Sequence, residues 1–148
     1  MHGFHLHLLL KSLKYAWAAP YTLLGLAAGT LGLLAGAAWR FERGTLEFFG
    51  GGLGWTIARI PQPFAFSAIT LGHVIIAVDK RTMRDLRAHE RVHVRQYERW
   101  GPAFVPAYLL SSLVQLLRGR HPYRQNHFEL QAYAAAPDRQ LRESHPHA

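Results

Sequence analysis

The stretch Ala88-His89-Glu90-Arg91-Val92-His93-Val94-Arg95-Gln96 decides how this chain reads. It contains His-Glu-x-x-His, the spacing by which one helix offers two imidazoles to a single metal ion. Residues four apart lie one above the other on a helix face. His89 and His93 can therefore share a zinc ion at roughly 2.0–2.1 Å per nitrogen. Glu90, next to the first of them, can reach a water at that metal without ligating it. Two ligands and a general base outline a hydrolytic site. A random chain this rich in histidine and glutamate would show the motif about 0.03 times, so chance is a weak rival. The plainer alternative is two surface histidines on a basic helix.

Working outward, the flanks of the motif supply helix ends. Asp79 is an N-cap residue or part of a turn just before one. The helix should run from about Thr82 to Trp100, with Gly101 after it and Pro102 as the stop. Leu86, His89, Glu90, His93, Tyr97 and Trp100 recur at helical spacing and form an inward face. Arg84, Arg87, Arg91 and Arg95 form a basic row on the other side. Arginine at a bilayer centre costs several kcal/mol even on the mildest scales. The row therefore belongs to a solvated face or to the surface of an anionic membrane.

Upstream, Phe41 to Val78 reads as strands. Thr45–Phe49 and Gly54–Ala58 are candidates, separated by the turn signal Gly50-Gly51-Gly52, and Pro61 and Pro63 interrupt the chain. Ala68 to Val78 is the strongest strand of the sequence, rich in β-branched residues. Gly72 within it marks a bulge or a close backbone approach. Downstream, Ala103 to Leu117 is apolar and uncharged but short for a span. It reads as a helix packing behind the metal helix, within reach of a membrane. Asn126 then caps a helix ending near Ala136 and Pro137, followed by a polar tail.

The third ligand is sought on that last helix. A catalytic zinc keeps three protein ligands and one open position, and two histidines with one glutamate form such a set. Glu129 stands 36 residues after His93 and is the candidate. His127 is its rival. Asn126-x-x-Glu129 also matches a capping box, which would give Glu129 a structural task instead.

Tyr15 to Trp39 contains no charged residue, and Lys11, Lys14, Arg40, Glu42 and Arg43 flank it. That run exceeds the roughly 20 residues a spanning helix needs, and Tyr15, Trp17, Tyr21 and Trp39 sit near its ends as interfacial anchors do. Pro20 would kink or start the helix. A cleaved signal peptide with Ala35-Gly36-Ala37 as its site, or a buried apolar hairpin, are the other readings. Gly25, Gly29, Gly32 and Gly36 form a small-residue row through which helices of two copies could pack. The chain has a formal charge of +8 and no cysteine, which excludes disulfides and thiolate metal sites. The positive charge calls for an anionic partner. No nucleic-acid-binding motif accompanies it, so a membrane is expected, of bacterial inner-membrane type, in an orientation the flanking charges leave open.

These expectations give an α+β chain. Residues 1–40 form an N-terminal transmembrane helix or apolar hairpin. Residues 41–137 form a small β-sheet packed on the zinc-binding helix and two further helices, and 138–148 form the tail.

His89-Glu90-x-x-His93 followed by Asn126-x-x-Glu129-x-x-Ala132-Tyr133 resembles the gluzincin pattern of zinc metallopeptidases, in which a glutamate on a later helix completes the site. The span from Phe41 to Pro137 is similar to the minimal members, the minigluzincins, more than to the large two-domain enzymes. The resemblance implies a small sheet over the metal helix, with Ala68–Val78 lining the cleft. It also implies zinc as cofactor, held by His89, His93 and Glu129, and a peptide or protein substrate. Glu90 would act as general base, and His73, Tyr123 or Tyr133 as a donor to the developing oxyanion; core packing competes for each of those three. The expected function is a membrane-associated zinc metallopeptidase. The alternative is a non-catalytic zinc-binding membrane protein that uses a peptidase-like scaffold for structure or partner binding. Glu90 favours the first, because closed structural sites take four protein ligands and have no use for a base.

Overall fold

A computed structural model of the chain describes residues 2–61 and 66–136, with side chains from residue 12 onward. Pro63, Pro137 and the polar tail lie outside the described residues. The elements in order are α1 (His2–Leu34), β1 (Ala38–Glu42), β2 (Thr45–Phe49), α2 (Gly51–Ile57), β3 (Ala68–Leu71), β4 (Val74–Ala77), α3 (Lys80–Trp100), a 3-10 turn (Gly101–Ala103), α4 (Phe104–Leu117) and α5 (His127–Ala135). The architecture is α+β, with a four-stranded mixed sheet in the order β1-β2-β4-β3. β1–β2 and β3–β4 are antiparallel, while β2 and β4 run parallel in the middle.

The expected long strand Ala68–Val78 is a hairpin. Leu71 pairs with Val74 across a turn of Gly72 and His73, and Gly72 takes φ +61°, open to glycine at no steric cost. The close approach expected at Gly72 is real, since a side chain there would strike Thr22 of α1. β4 is buried along its whole length. Its side chains alternate between faces: Val74 and Ile76 pack with Phe48 and Ile57 on one side, and Ile75 and Ala77 pack with Met83 and Val94 of α3 on the other. A third cluster joins the helices through Ala18, Tyr97, Phe104 and Phe128.

Gly54–Ala58 is not a strand: Gly54–Ile57 belong to α2 and Ala58 caps its end. Gly54 and Ile57 are its buried residues. Three apart, they share a helix face but would point to opposite faces of a strand, so one buried side selects the helix. Gly54 lies so close to the Val78 carbonyl that a β-carbon would collide with it.

The N-terminal segment is one helix, not a hairpin. It ends at Leu34, leaving Trp39 to β1, and Pro20 lies within it without starting or ending it. The glycine row expected to meet a second copy meets this chain's own domain. A β-carbon on Gly25 would run into Val74, on Gly29 into the Phe48 ring, and on Gly32 into Leu53. Gly36 lies past the helix end with open space around it. Polar contacts reinforce the seam: Tyr15 O–H donates to the Gly44 carbonyl at 3.0 Å, and Thr22 Oγ1 accepts from His73 N–H at 3.1 Å. The opposite face of α1, with Leu13, Trp17, Leu24, Leu31 and Leu34, is exposed. Among the described residues, Ser12–Leu34 and Lys80–Leu117 are the two helical stretches long and apolar enough to cross a membrane, by length and composition only.

The ends of α3 follow the local signals. Asp79 caps it, Oδ1 accepting from Thr82 N–H at 2.7 Å, and Gly101 closes it. The basic row is not uniformly solvated. Arg87 donates twice to Glu47, at 2.7 and 2.8 Å, and Arg91 lies 3.2 Å from Glu42 Oε1. These pairs fasten the back of α3 to β2 and the end of β1, and only Arg84 and Arg95 of the row are exposed. Trp100, expected to face inward, is exposed as well.

Candidate metal centre

With α3 fixed against the sheet, His89 and His93 project from its other side toward α5. Glu129 comes to meet them from the first turn of α5. His89 Nε2 lies 3.2 Å from Glu129 Oε2, His93 Nε2 lies 3.4 Å from Oε1, and the two Nε2 atoms are 3.2 Å apart. All three residues are buried, and one ligand atom from each falls within 4.8 Å of the others. Such a group could hold a metal ion. Glu129 Oε2 and His89 Nδ1 are buried, and apart from the 3.2 Å approach of His89 Nε2 to Oε2 neither atom has a hydrogen-bond partner. An orphaned carboxylate oxygen inside a protein is costly unless something positive meets it.

The placement of Glu129 separates the two roles the residues allow it. Asn126 does cap α5, its Oδ1 accepting from Phe128 N–H at 2.9 Å. The capping-box return from Glu129 is not made, because its carboxylate turns to the histidines and to Tyr108, whose O–H donates to Oε1 at 2.8 Å. Asn126 itself is buried, its Nδ2 donating to the Tyr108 carbonyl and to Ser112 Oγ. That locks the start of α5 to α4 and so aims Glu129. His127, the rival ligand, is exposed and faces Gln131 at 2.8 Å, outside the group.

Gln96 sets the orientation of His93. Its Nε2 donates to the Phe128 carbonyl and to Gln131 Oε1, both at 3.1 Å. Its Oε1 is therefore the atom facing His93 Nδ1 at 2.8 Å. Nδ1 must carry the proton, which leaves the Nε2 lone pair pointing into the group. Burial would lower the pKa of His93, but the hydrogen bond with Glu129 and the charges of Glu90 and Glu129 outweigh it, and the result is raised. Burial would raise the pKa of Glu129, but the close His89 and His93 imidazoles, the charge of His93 when protonated and the hydrogen bond from Tyr108 hold it down at about 2. Glu129 is thus an anion throughout the ordinary pH range.

Glu90 is buried beside this group and takes no part in it. Thr70 Oγ1, on β3, lies 2.6 Å from its Oε2. Burial raises its pKa, and the neighbouring histidines and Thr70 only partly offset that. A carboxylate shifted toward neutrality suits a group that takes up and returns a proton.

Of the three candidate oxyanion donors, two come near. The Tyr133 ring lies 4.7 Å from that of His89, and its O–H reaches the Tyr123 hydroxyl at 3.3 Å. His73 does not join them. It sits in the β3–β4 turn, stacked on Tyr15 at 3.9 Å with Nε2 3.3 Å from Glu98, and burial lowers its pKa. It reads as a neutral wedge between α1 and α3. Sequence reasoning passed over Gln96, Tyr108 and Thr70. Gln96 was legible, three residues after His93 on the same face. Tyr108 and Thr70 carry no local signal, because only tertiary packing brings them to Glu129 and Glu90.

Comparison of the chain with known protein families, with curated proteins and with solved structures finds no match.

Proposed function

We propose that this protein is a membrane-associated zinc metallopeptidase of minimal gluzincin type. One observation carries the reading: a buried His89-His93-Glu129 group with a buried carboxylate, Glu90, held by Thr70 and outside the ligand set, beside it. The donor set suits zinc. Ligands at 2.0–2.1 Å in a tetrahedron stand roughly 3.3 Å from one another; the two imidazole Nε2 atoms are 3.2 Å apart, and each lies 3.2 or 3.4 Å from one of the two Glu129 oxygens. Only three protein ligands converge among the described residues, which leaves the fourth position open, as in catalytic sites.

When bound, zinc would supply Lewis acidity and a water with its pKa lowered toward 7. The chain's own residues would do the rest. Thr70 holds the Glu90 carboxylate in one orientation. Glu90 accepts a proton from the attacking water and delivers it to the leaving amine. The paired hydroxyls of Tyr123 and Tyr133, the latter's ring beside His89, would be the donors to the developing negative charge. Tyr108 and Gln96 keep Glu129 and His93 in place. Membrane association is supported by the apolar exposed face of α1 and the net charge of +8.

The test is Glu90→Gln, which keeps size and polarity but removes the base. Zinc content should match the parent protein, while hydrolysis of a responsive peptide falls about 10²–10⁴-fold. Full activity with full zinc content would overturn the mechanism. Lost zinc with no activity in either form would favour the non-catalytic alternative.

A further inference from the structure

α4 wears its apolar side outward. Pro106, Leu109, Leu110, Leu113, Leu116 and Leu117 recur at three- and four-residue spacing, which places them on one helix face, and all six are exposed. The polar residues of the helix are on the packed side. There Tyr108 reaches Glu129, Ser111 Oγ accepts from His127 N–H, and Ser112 Oγ accepts from Asn126. A water-facing helix shows the opposite polarity. No charged residue occurs from Gly101 to Leu117, and then Arg118, Arg120 and Arg124 follow, all exposed. Among the described residues none of these three arginines meets a carboxylate.

We propose that the leucine face of α4 lies in the acyl layer of one leaflet of an anionic membrane, with Arg118, Arg120 and Arg124 at the level of its headgroups. A helix of 14 residues is about 21 Å long, too short for the roughly 30 Å hydrocarbon core, so it enters one leaflet and does not span. Exposed cations clustered just past the end of an apolar helix face are drawn to anionic headgroups. A second copy of the chain is the poorer occupant. It carries the same cations and no acidic residue from Gly101 to His127 to answer them. Tyr108 ties the inner face of α4 to Glu129, so the metal centre would stand one helix diameter, about 10 Å, from lipid. The inference goes beyond the peptidase reading, needing neither zinc nor catalysis.

The chain has no cysteine, so Leu113→Cys and, separately, Leu31→Cys on the exposed face of α1 each give one thiol for an environment-sensitive dye. Both positions are exposed, and circular dichroism checks that the fold is kept. Each labelled full-length protein is mixed with phosphatidylcholine vesicles containing phosphatidylglycerol. The expected result at position 113 is a blue-shifted emission that acyl-brominated lipid quenches and aqueous iodide does not. Quenching by iodide alone would overturn the proposal, as would protection from both quenchers, which would mean that protein covers the face. Lipid quenching at 31 but not at 113 would defeat the role of α4 and leave membrane association through α1 standing. Lipid quenching at neither position would defeat both.

Discussion

Two buried glutamates, on opposite sides of α3, show the difference between a finished ion cluster and an open one. Glu47 is completely buried, and Arg87 meets it with two hydrogen bonds while Arg91 stands 3.6 Å away. Its charge is answered inside the chain. Glu129 is almost as buried, yet among the described residues it faces two imidazoles, one tyrosine and no arginine or lysine. The first arrangement is complete as it stands. The second could hold a cation from outside, and this contrast underlies the proposal of structure for one face of α3 and metal chemistry for the other.

The largest effects should come from breaking each cluster and should be opposite in kind. Arg87→Met leaves Glu47 buried with only Arg91 nearby, and removing one partner of a buried pair costs about 3–5 kcal/mol. Chemical denaturation should show that loss, while folded protein binds zinc as before. Glu129→Gln should instead cost zinc affinity, by more than the 10–100-fold that losing a supporting residue costs. If the two variants behave alike, the contrast between the faces is wrong.

Removing the support of one ligand should have a smaller effect. Gln96→Leu frees the His93 ring and its tautomer, and zinc affinity measured by competition with a chelator should drop about 10–100-fold. His127→Ala, outside the group, should leave affinity unchanged. A larger effect at His127 than at Gln96 would mean that the ligand set is misread.

Acidity sharpens the comparison further. The raised pKa of His93 means that its proton stabilises the metal-free fold below about 6.5, its unfolded value, and that this contribution is lost as pH rises through the higher folded value. The depressed pKa of Glu129 contributes stability above its unfolded value, lost as pH falls toward about 2. Metal-free protein should therefore lose stability from this group as pH rises above neutrality. Zinc binding should strengthen over the same range, because the metal competes with the His93 proton. Melting curves with and without zinc should diverge as pH rises; parallel curves would show that the His93 proton and the metal do not compete.

Much of this was legible in the residues. Asp79, Gly101 and Asn126 mark helix ends because a cap is a contact between near neighbours in the chain, and His89 and His93 share a face because 3.6 residues make a turn. The apolar run of α1, the apolar α4 and the α+β class follow from local composition in the same way. What the residues left open, the tertiary structure decided. Asn126-x-x-Glu129 fits a capping box and a ligand helix equally well, and only the approach of α3 and Tyr108 turned the carboxylate away from its own helix end. Gly54–Ala58 fits a strand and a short helix, and the single buried side of α2 selected the helix. Arg87 and Arg91 look like solvated charges until Glu47 and Glu42 are brought beneath them. The glycines of α1 suit any close partner, and Phe48, Leu53 and Val74 of the same chain arrived first. In each case local pattern fixes which face a residue occupies, while the partner on that face comes from far along the chain, and no short-range signal encodes it.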